Sequence, residues 1–183
     1  IVSHETDGLT KIVSAEPLKS NGSFVTSAFG SNVNYSSSNT IGTFLNGEYL
    51  TNYVGSSYRN MIEENTIWYL GTVNTGSSYK LAKYGSATES DLTTNTTTAQ
   101  VGLLRLGELM ASQFSGYSNN NYYWLLTSEK NLDLWDIKNY GSVDHHTPQT
   151  VYSIKPALYL KSNVIVTGGD GTKTNPFRLQ LNN

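Results

Sequence analysis

Short runs of apolar residues, separated by polar turns, recur along the whole chain and predict many short strands. The first two strands form a hairpin over 1–13, because the pair Asp7-Gly8 tolerates the positive φ angles of a tight turn. Pro156 falls inside one apolar run and predicts an edge position or a bulge there. The other predicted strands are 66–70, 101–104, 122–127, 132–137, 151–160 and 164–166.

Three segments have the spacing of helices instead. Apolar residues at 41, 44, 45, 49 and 50 predict a helix over 41–50, with Ser38 or Asn39 as its N-cap. Shorter helices are predicted over 58–64 and 106–113. We therefore expect an α+β fold of short antiparallel strands with two or three short helices.

The composition narrows the class of protein. The 183 residues suit a single domain over 1–183, and the net charge is only -2 with 14% charged residues. Asn, Ser and Thr make up about a third of the chain, and there are thirteen Tyr. Such a neutral surface excludes nucleic-acid partners. No apolar stretch reaches the roughly 20 residues of a membrane span, so we expect no direct membrane insertion.

The chain contains no Cys, which excludes disulfides, thiolate metal sites and a Cys nucleophile. This absence fits an exported bacterial protein. The chain begins with Ile1-Val2-Ser3, which has the character of a strand interior, and we interpret it as a processed or trimmed fragment. We expect its location to be extracellular, on a bacterial cell surface or filament.

Candidate chemistry is sparse. His145 and His146 follow Asp144, but neighbours in a strand point to opposite faces, and zinc needs three or four converging ligands. Glu108 is expected to be structural and paired with Arg105. No G-x-S-x-G run occurs, and no catalytic residue, metal or cofactor is expected.

Several segments resemble bacterial C-type-lectin-like domains. These are Val101–Leu109, Tyr123-Trp124-Leu125-Leu126-Thr127 and Ser153–Leu160, the last similar to a closing strand of the type Arg-Pro-Ala-Leu. A wider resemblance, to Firmicute and Mollicute surface or pilin-like proteins of unknown function, covers 45–50, 66–73, 101–110 and 160–177. It implies one C-type-lectin-like domain over 1–183 that lacks its first strand, with 161–183 as its C-terminal hairpin or tail.

The same resemblance implies that a first strand is missing before Ile1, either cleaved or supplied by another chain. It does not imply lectin-type calcium binding, because the neighbouring acids of such sites are not found. Asp170, in Gly169-Asp170-Gly171, is expected to form a turn through its own backbone.

A binding surface is the remaining possibility. Tyr and Trp provide large rigid contacts, and Asn and Ser adapt their hydrogen bonds, as in antibody paratopes. In C-type-lectin-like proteins the equivalent strands and loops bind ligands, although Trp135 could equally belong to the core. The candidate ligand-binding residues are Tyr117, Tyr122, Trp135, Asp136, Asn139, Tyr140, Asp144, His145 and His146.

We therefore expect an extracellular, non-enzymatic binding or adhesion module. Its partners would be a host or neighbouring-cell protein or glycan, or copies of itself. The alternative is a structural, self-associating subunit of a surface filament, similar to a pilin, in which an open sheet edge accepts a strand from another chain.

Overall fold

The structure, a computed structural model, describes residues 1–75, 95–111, 121–129, 132–138 and 141–182. These ranges form an α+β fold of short, mostly antiparallel strands, which confirms the predicted class. They contain four short helices where two or three were expected. No helix in these ranges is long and apolar enough to cross a membrane.

The strands are short because turns or irregular segments interrupt the chain every few residues. They are β1 (Ser3–His4), β2 (Thr10–Val13), β3 (Lys19–Ser20), β4 (Ser23–Phe24), β5 (Thr26–Ala28), β6 (Thr66–Tyr69), β7 (Thr96–Ala99), β8 (Val101–Gly102), β9 (Tyr123–Glu129), β10 (Asp133–Ile137), β11 (Val143–His146), β12 (Val151–Ser153), β13 (Ala157–Leu160), β14 (Val164–Gly168) and β15 (Arg178–Leu181). The helices are α1 (Thr40–Asn46), α2 (Glu48–Asn52), α3 (Ser56–Arg59) and α4 (Leu106–Ala111).

Two sheets organise these strands. The first is antiparallel and has the order β1-β2-β13-β8, and its β1–β2 pairing confirms the predicted hairpin, with Gly8 at φ 86° in the turn. The second has the order β11-β10-β9-β12-β5, and only its β12–β9 pairing is parallel. Three two-stranded ribbons, β3–β4, β6–β7 and β14–β15, complete the described strands.

The strand predicted over 151–160 is divided between the two sheets. Val151–Ser153 joins the second sheet and Ala157–Leu160 the first. Pro156 has no N–H for a sheet ladder, and the backbone leaves strand geometry over 154–156. The prediction of one strand is therefore wrong, and this break allows one segment to connect both sheets.

Two helix predictions also need correction. The helix expected over 41–50 begins at Thr40 with Asn39 as its N-cap, as predicted, but Gly47 separates it into α1 and α2. The helix expected over 58–64 ends at Arg59. The chain reaches the first sheet a few residues later, where Glu63 N–H donates to the carbonyl of Tyr159 at 2.8 Å.

A buried group of charges joins the first sheet to α4. Arg105 and Glu108 form the predicted pair, with 3.2 Å between their charged atoms. Lys11, from β2, adds a second cation: its Nζ lies 2.7 Å and 2.9 Å from the two carboxylate oxygens of Glu108. All three side chains are almost completely buried. Lys11 also lies 4.6 Å from the ring centroid of Trp68, one of the largest core side chains.

Candidate binding face

The β10–β11 hairpin directs its two adjacent histidines to opposite faces of the second sheet. Nδ1 of His145 lies 2.9 Å from Oδ2 of Asp133. Nδ1 of His146 lies 2.8 Å from Oδ2 of Asp136. The expectation that these neighbours diverge is confirmed, and each imidazole is oriented by a carboxylate of its own.

Aromatic side chains surround His146 on its face of the sheet. The rings of Tyr122 and Tyr152 stack at 4.9 Å with an interplanar angle of 16°. The imidazole of His146 meets Tyr152 edge-on at 5.3 Å, and the buried Trp124 lies 4.8 Å from the same ring. Tyr122, Tyr152 and His146 remain partly exposed. We name this group the tyrosine face and define it as Tyr122, Trp124, Asp136, Asp144, His146 and Tyr152.

Asp136 is the buried centre of the tyrosine face. Its side chain is 0% exposed, and burial raises the pKa of its carboxyl group, although the hydrogen bond from His146 opposes this. Oδ2 is occupied by His146, whereas Oδ1 has no hydrogen-bond partner among the described residues. An unpaired buried oxygen is costly, so the face contains one acceptor whose hydrogen-bonding capacity is not used.

The rim of the tyrosine face is charged and polar. Lys138 forms an ion pair with Asp144, and this hydrogen bond lowers the pKa of Asp144 and raises that of Lys138. Nε2 of His146 lies 4.0 Å from Oδ2 of Asp144. Burial, followed by the negative charge of Asp136, raises the pKa of Tyr152 to about 12, so its hydroxyl stays protonated at neutral pH.

The structure brings only some of the predicted binding residues together. Trp135 is 3% exposed, and its Nε1 donates to the carbonyl of Val73 at 2.8 Å, so the core alternative for Trp135 is the one observed. Asp136 is likewise inside the protein, and His145 lies on the opposite face. Tyr122, Asp144 and His146 share the tyrosine face with Asp136, which is its buried member. Tyr117, Asn139 and Tyr140 lie outside the described residues.

Sequence reasoning did not select Tyr152 or Trp124 as members of the site. Tyr152 is placed beside them because β12 pairs with β9 in parallel, with Ser153 opposite Tyr123. Pairing between strands this far apart leaves no local pattern. The available signal was the alternation Val151-Tyr152-Ser153, which shows which residues share a face but not which neighbours they meet.

A second polar group lies around His145, and we name it the threonine clasp: Thr75, Glu129, Asp133 and His145. The backbone N–H and the hydroxyl of Thr75 both donate to Oε1 of Glu129 at 3.0 Å. Oγ1 of Thr75 also lies 3.3 Å from Nε2 of His145.

The threonine clasp has the order hydroxyl, imidazole, carboxylate that hydrolases use to activate a nucleophile. In the clasp the carboxylate of Glu129 bonds both the backbone N–H and the hydroxyl of Thr75. The clasp is therefore suited to holding residues 71–75 against β9, where Val73 N–H also bonds to the carbonyl of Ser128.

Comparisons with known proteins add no assignment. No protein-family model, no curated protein and no solved structure matches this chain. Across the described ranges, no three His, Asp or Glu side chains are grouped to hold a metal ion.

Proposed function

We propose that this chain is a non-enzymatic binding or adhesion module of a bacterial cell surface or pilus, and that the tyrosine face contacts its ligand. The observation that carries the proposal is the partly exposed stack of Tyr122 and Tyr152 beside His146. Tyrosine provides a large contact area at a small entropic cost, and the imidazole and carboxylate add directed hydrogen bonds. The ligand is a protein or glycan of a host or neighbouring cell.

The way these side chains are held supports this role. His146 comes from β11, Tyr152 from β12, and Tyr122 directly precedes β9. A site carried by strands is more rigid than one carried by loops, and a rigid site loses less conformational entropy when it binds. The hydrogen bond from His146 to the buried Asp136 restrains the imidazole further.

A C-type-lectin-like scaffold is part of the proposal. Two of the segments that carry the resemblance form β9 and β13, and both are interior strands of their sheets. The extracellular location is supported by the neutral, Asn-, Ser- and Thr-rich composition and by the lack of Cys.

A binding screen with matched variants tests this proposal. The purified chain is applied to a glycan array and to immobilised extracellular-matrix proteins. We expect the double variant Tyr122→Ala/His146→Ala to lose at least about tenfold in affinity for whatever the wild-type chain binds, as expected when a binding hot spot is removed.

Tyr58→Ala is the matched control, because Tyr58 is exposed on α3 and is not part of the tyrosine face. This variant keeps full affinity if the proposal is correct. Full affinity in the double variant, with a normal circular dichroism spectrum, would exclude the tyrosine face as the contact surface.

The alternative role, a self-associating filament subunit, is favoured by the β14–β15 ribbon. Its register pairs Val164 with Leu181 and Val166 with Leu179, so four aliphatic side chains share one face. None of them belongs to the described core, and Val166 is 57% exposed. Light scattering over a range of concentrations tests this role: growing assemblies that Val166→Lys abolishes would favour the subunit over the binding module.

A further inference from the structure

Two carboxylates of the tyrosine face lie directly opposite each other on neighbouring strands. Asp136 of β10 pairs with Asp144 of β11 in the antiparallel register, so their side chains share one face of the sheet. Like charges at opposed positions of two strands repel each other. Asp136 is completely buried, whereas Asp144 is partly exposed. The tyrosine face therefore concentrates negative charge where these two strands meet.

Lys138 offsets part of this negative charge through its ion pair with Asp144. With Asp136, Asp144 and Lys138 ionised and His146 neutral, these four side chains carry one net negative charge. Oδ1 of Asp136 has no hydrogen-bond partner among the described residues, so the buried carboxylate is incompletely satisfied. An opposite charge nearby favours the ionised form of a carboxylate. A cation bound at the surface of this face would therefore stabilise the buried Asp136.

His146 provides a second hydrogen-bond acceptor beside Asp144. Its Nδ1 bonds to Oδ2 of Asp136, and an ionised carboxylate can only accept, so the hydrogen of this bond is on Nδ1. In the neutral ring, Nε2 is then an acceptor. Nε2 lies 4.0 Å from Oδ2 of Asp144, too far for a hydrogen bond between them. The two side chains are 33% and 31% exposed, so a ligand with several donors can reach both acceptors.

We infer that the tyrosine face binds an arginine side chain of a partner protein. A guanidinium is planar, stacks on aromatic rings and carries five N–H donors, so it can pack on Tyr122 and donate to Nε2 of His146 and Oδ2 of Asp144. A carboxylate has about four acceptor positions, so Asp144 can accept from the ligand beside Lys138. The guanidinium is also more weakly hydrated than the ammonium of lysine. This inference rests on the proposed function, and it names a protein rather than a glycan as the ligand.

Nuclear magnetic resonance titration of the full chain with short blocked peptides tests the inference. The peptides differ only in their central residue, which is arginine, lysine or citrulline, and citrulline keeps the shape of arginine without its charge. We expect the arginine peptide to shift backbone amides within 122–124, 144–146 and 151–153, with a dissociation constant in the millimolar range. The citrulline peptide should bind about tenfold more weakly, because hydrogen bonds from a charged donor are stronger than those from a neutral one.

Asp144→Asn removes one charge from the face and should weaken binding of the arginine peptide about tenfold. Asp133→Asn is the matched control: Asp133 also bonds to a histidine, His145, at 2.9 Å, but on the opposite face of the sheet. It changes the net charge by the same amount and should leave the affinity nearly unchanged, because solvent screens charges that do not contact the ligand. Lys138→Gln removes the cation that competes for Asp144 and should strengthen binding. Unchanged amide signals away from the face show that each variant is folded.

Four results would overturn the inference. The first is that the arginine peptide shifts none of these amides. The second is that the citrulline peptide binds as well, and the third is that the lysine peptide does, which would leave no preference for a guanidinium. The fourth is that Asp144→Asn and Asp133→Asn weaken binding equally, which would indicate general electrostatic attraction.

Failure of this inference can be distinguished from failure of the proposed function. If the arginine peptide does not bind but Tyr122→Ala/His146→Ala still loses affinity in the binding screen, the face contacts a ligand of another chemistry and only the inference is wrong. If that double variant keeps full affinity in the screen, the proposed function is wrong, whatever the peptides do.

Discussion

His146 and Asp136 form a hydrogen bond of 2.8 Å between neighbouring strands that uses only one oxygen of a completely buried carboxylate. The other oxygen, Oδ1, is buried without a partner among the described residues. Burial disfavours the ionised form of a carboxylate and raises the pKa of Asp136, although its hydrogen bond with His146 opposes this. The carboxylate that orients the imidazole of the tyrosine face is therefore also one whose ionised form is disfavoured by burial.

The pH dependence of stability should reveal this ionisation. Because the folded pKa of Asp136 is raised, its contribution to stability is complete below the ordinary value of about 3.9 and is lost as the pH rises through the raised pKa. The amide introduced in the Asp136→Asn variant cannot ionise. We therefore expect the stability of this variant to increase relative to that of the wild-type chain as the pH rises through the raised pKa of Asp136. Urea unfolding at a series of pH values measures the difference.

Asp170→Asn should show the opposite slope. The hydroxyl of Thr172 lowers the pKa of Asp170, and the Thr172 hydroxyl and N–H bond to Oδ1 at 2.7 Å and 3.0 Å, which confirms the predicted turn. The contribution of Asp170 is therefore present at higher pH and is lost as the pH falls through its lowered pKa. Equal slopes for the two variants would contradict the assignment of opposite pKa shifts.

Glu108 should be the most sensitive of the buried charges. Glu108→Gln leaves Lys11 and Arg105 buried without their shared carboxylate, and breaking a buried pair costs about 3–5 kcal/mol. Chemical unfolding measures this loss. Glu16→Gln is the control, because the Glu16–Lys19 pair is exposed and solvent screens such pairs, so they contribute little to stability. Similar losses in both variants would show that the charges near α4 are not buried in solution.

Trp135 should behave as a core residue rather than as a ligand contact. Trp135→Ala removes a nearly buried indole and its bond to the carbonyl of Val73, and truncations of this kind cost about 3–5 kcal/mol. The stability of Tyr122→Ala, measured in parallel by thermal unfolding, should fall less because Tyr122 is only half-buried. A fully stable Trp135→Ala chain would return Trp135 to the candidate binding surface.

The threonine clasp predicts coupling between Thr75 and Glu129. Thr75→Val removes the hydroxyl donor and keeps the shape of the side chain, so we expect a loss of about 1 kcal/mol. In a double-mutant cycle with Glu129→Ala, which removes the acceptor, the two losses should not add, because the residues share a hydrogen bond. Thr98→Val, at an exposed position of β7, should leave stability nearly unchanged. Additive losses would show that Thr75 and Glu129 act independently.

Features that depend on neighbours in the chain could be predicted well. The β1–β2 hairpin follows from Asp7-Gly8, the start of α1 from Asn39, and the Arg105–Glu108 pair from spacing within one turn of a helix. The divergence of His145 and His146 follows from the alternation of a strand. In each case the interacting residues are within a few positions of each other, so their geometry is set by local backbone conformation.

Longer-range features could not be predicted in this way. Lys11 forms its ion pair with Glu108, which is 97 residues away in the chain. The division of 151–160 into two strands depends on which sheet each half joins. The alternation over 132–137 does not tell which face is buried, and in the structure both Trp135 and Asp136 are inside because both faces of β10 are covered.

The sequence by itself determined the α+β class, the local turns and caps, and the presence of a Tyr- and His-bearing hairpin near residue 146. Only the tertiary structure decided which of those side chains meet. Tyr152 lies beside Tyr122 and His146 because β12 pairs with β9. Trp135 is buried, and its Nε1 donates to the carbonyl of Val73. The reason is physical: strand alternation divides side chains between two faces, whereas strand order decides what covers each face.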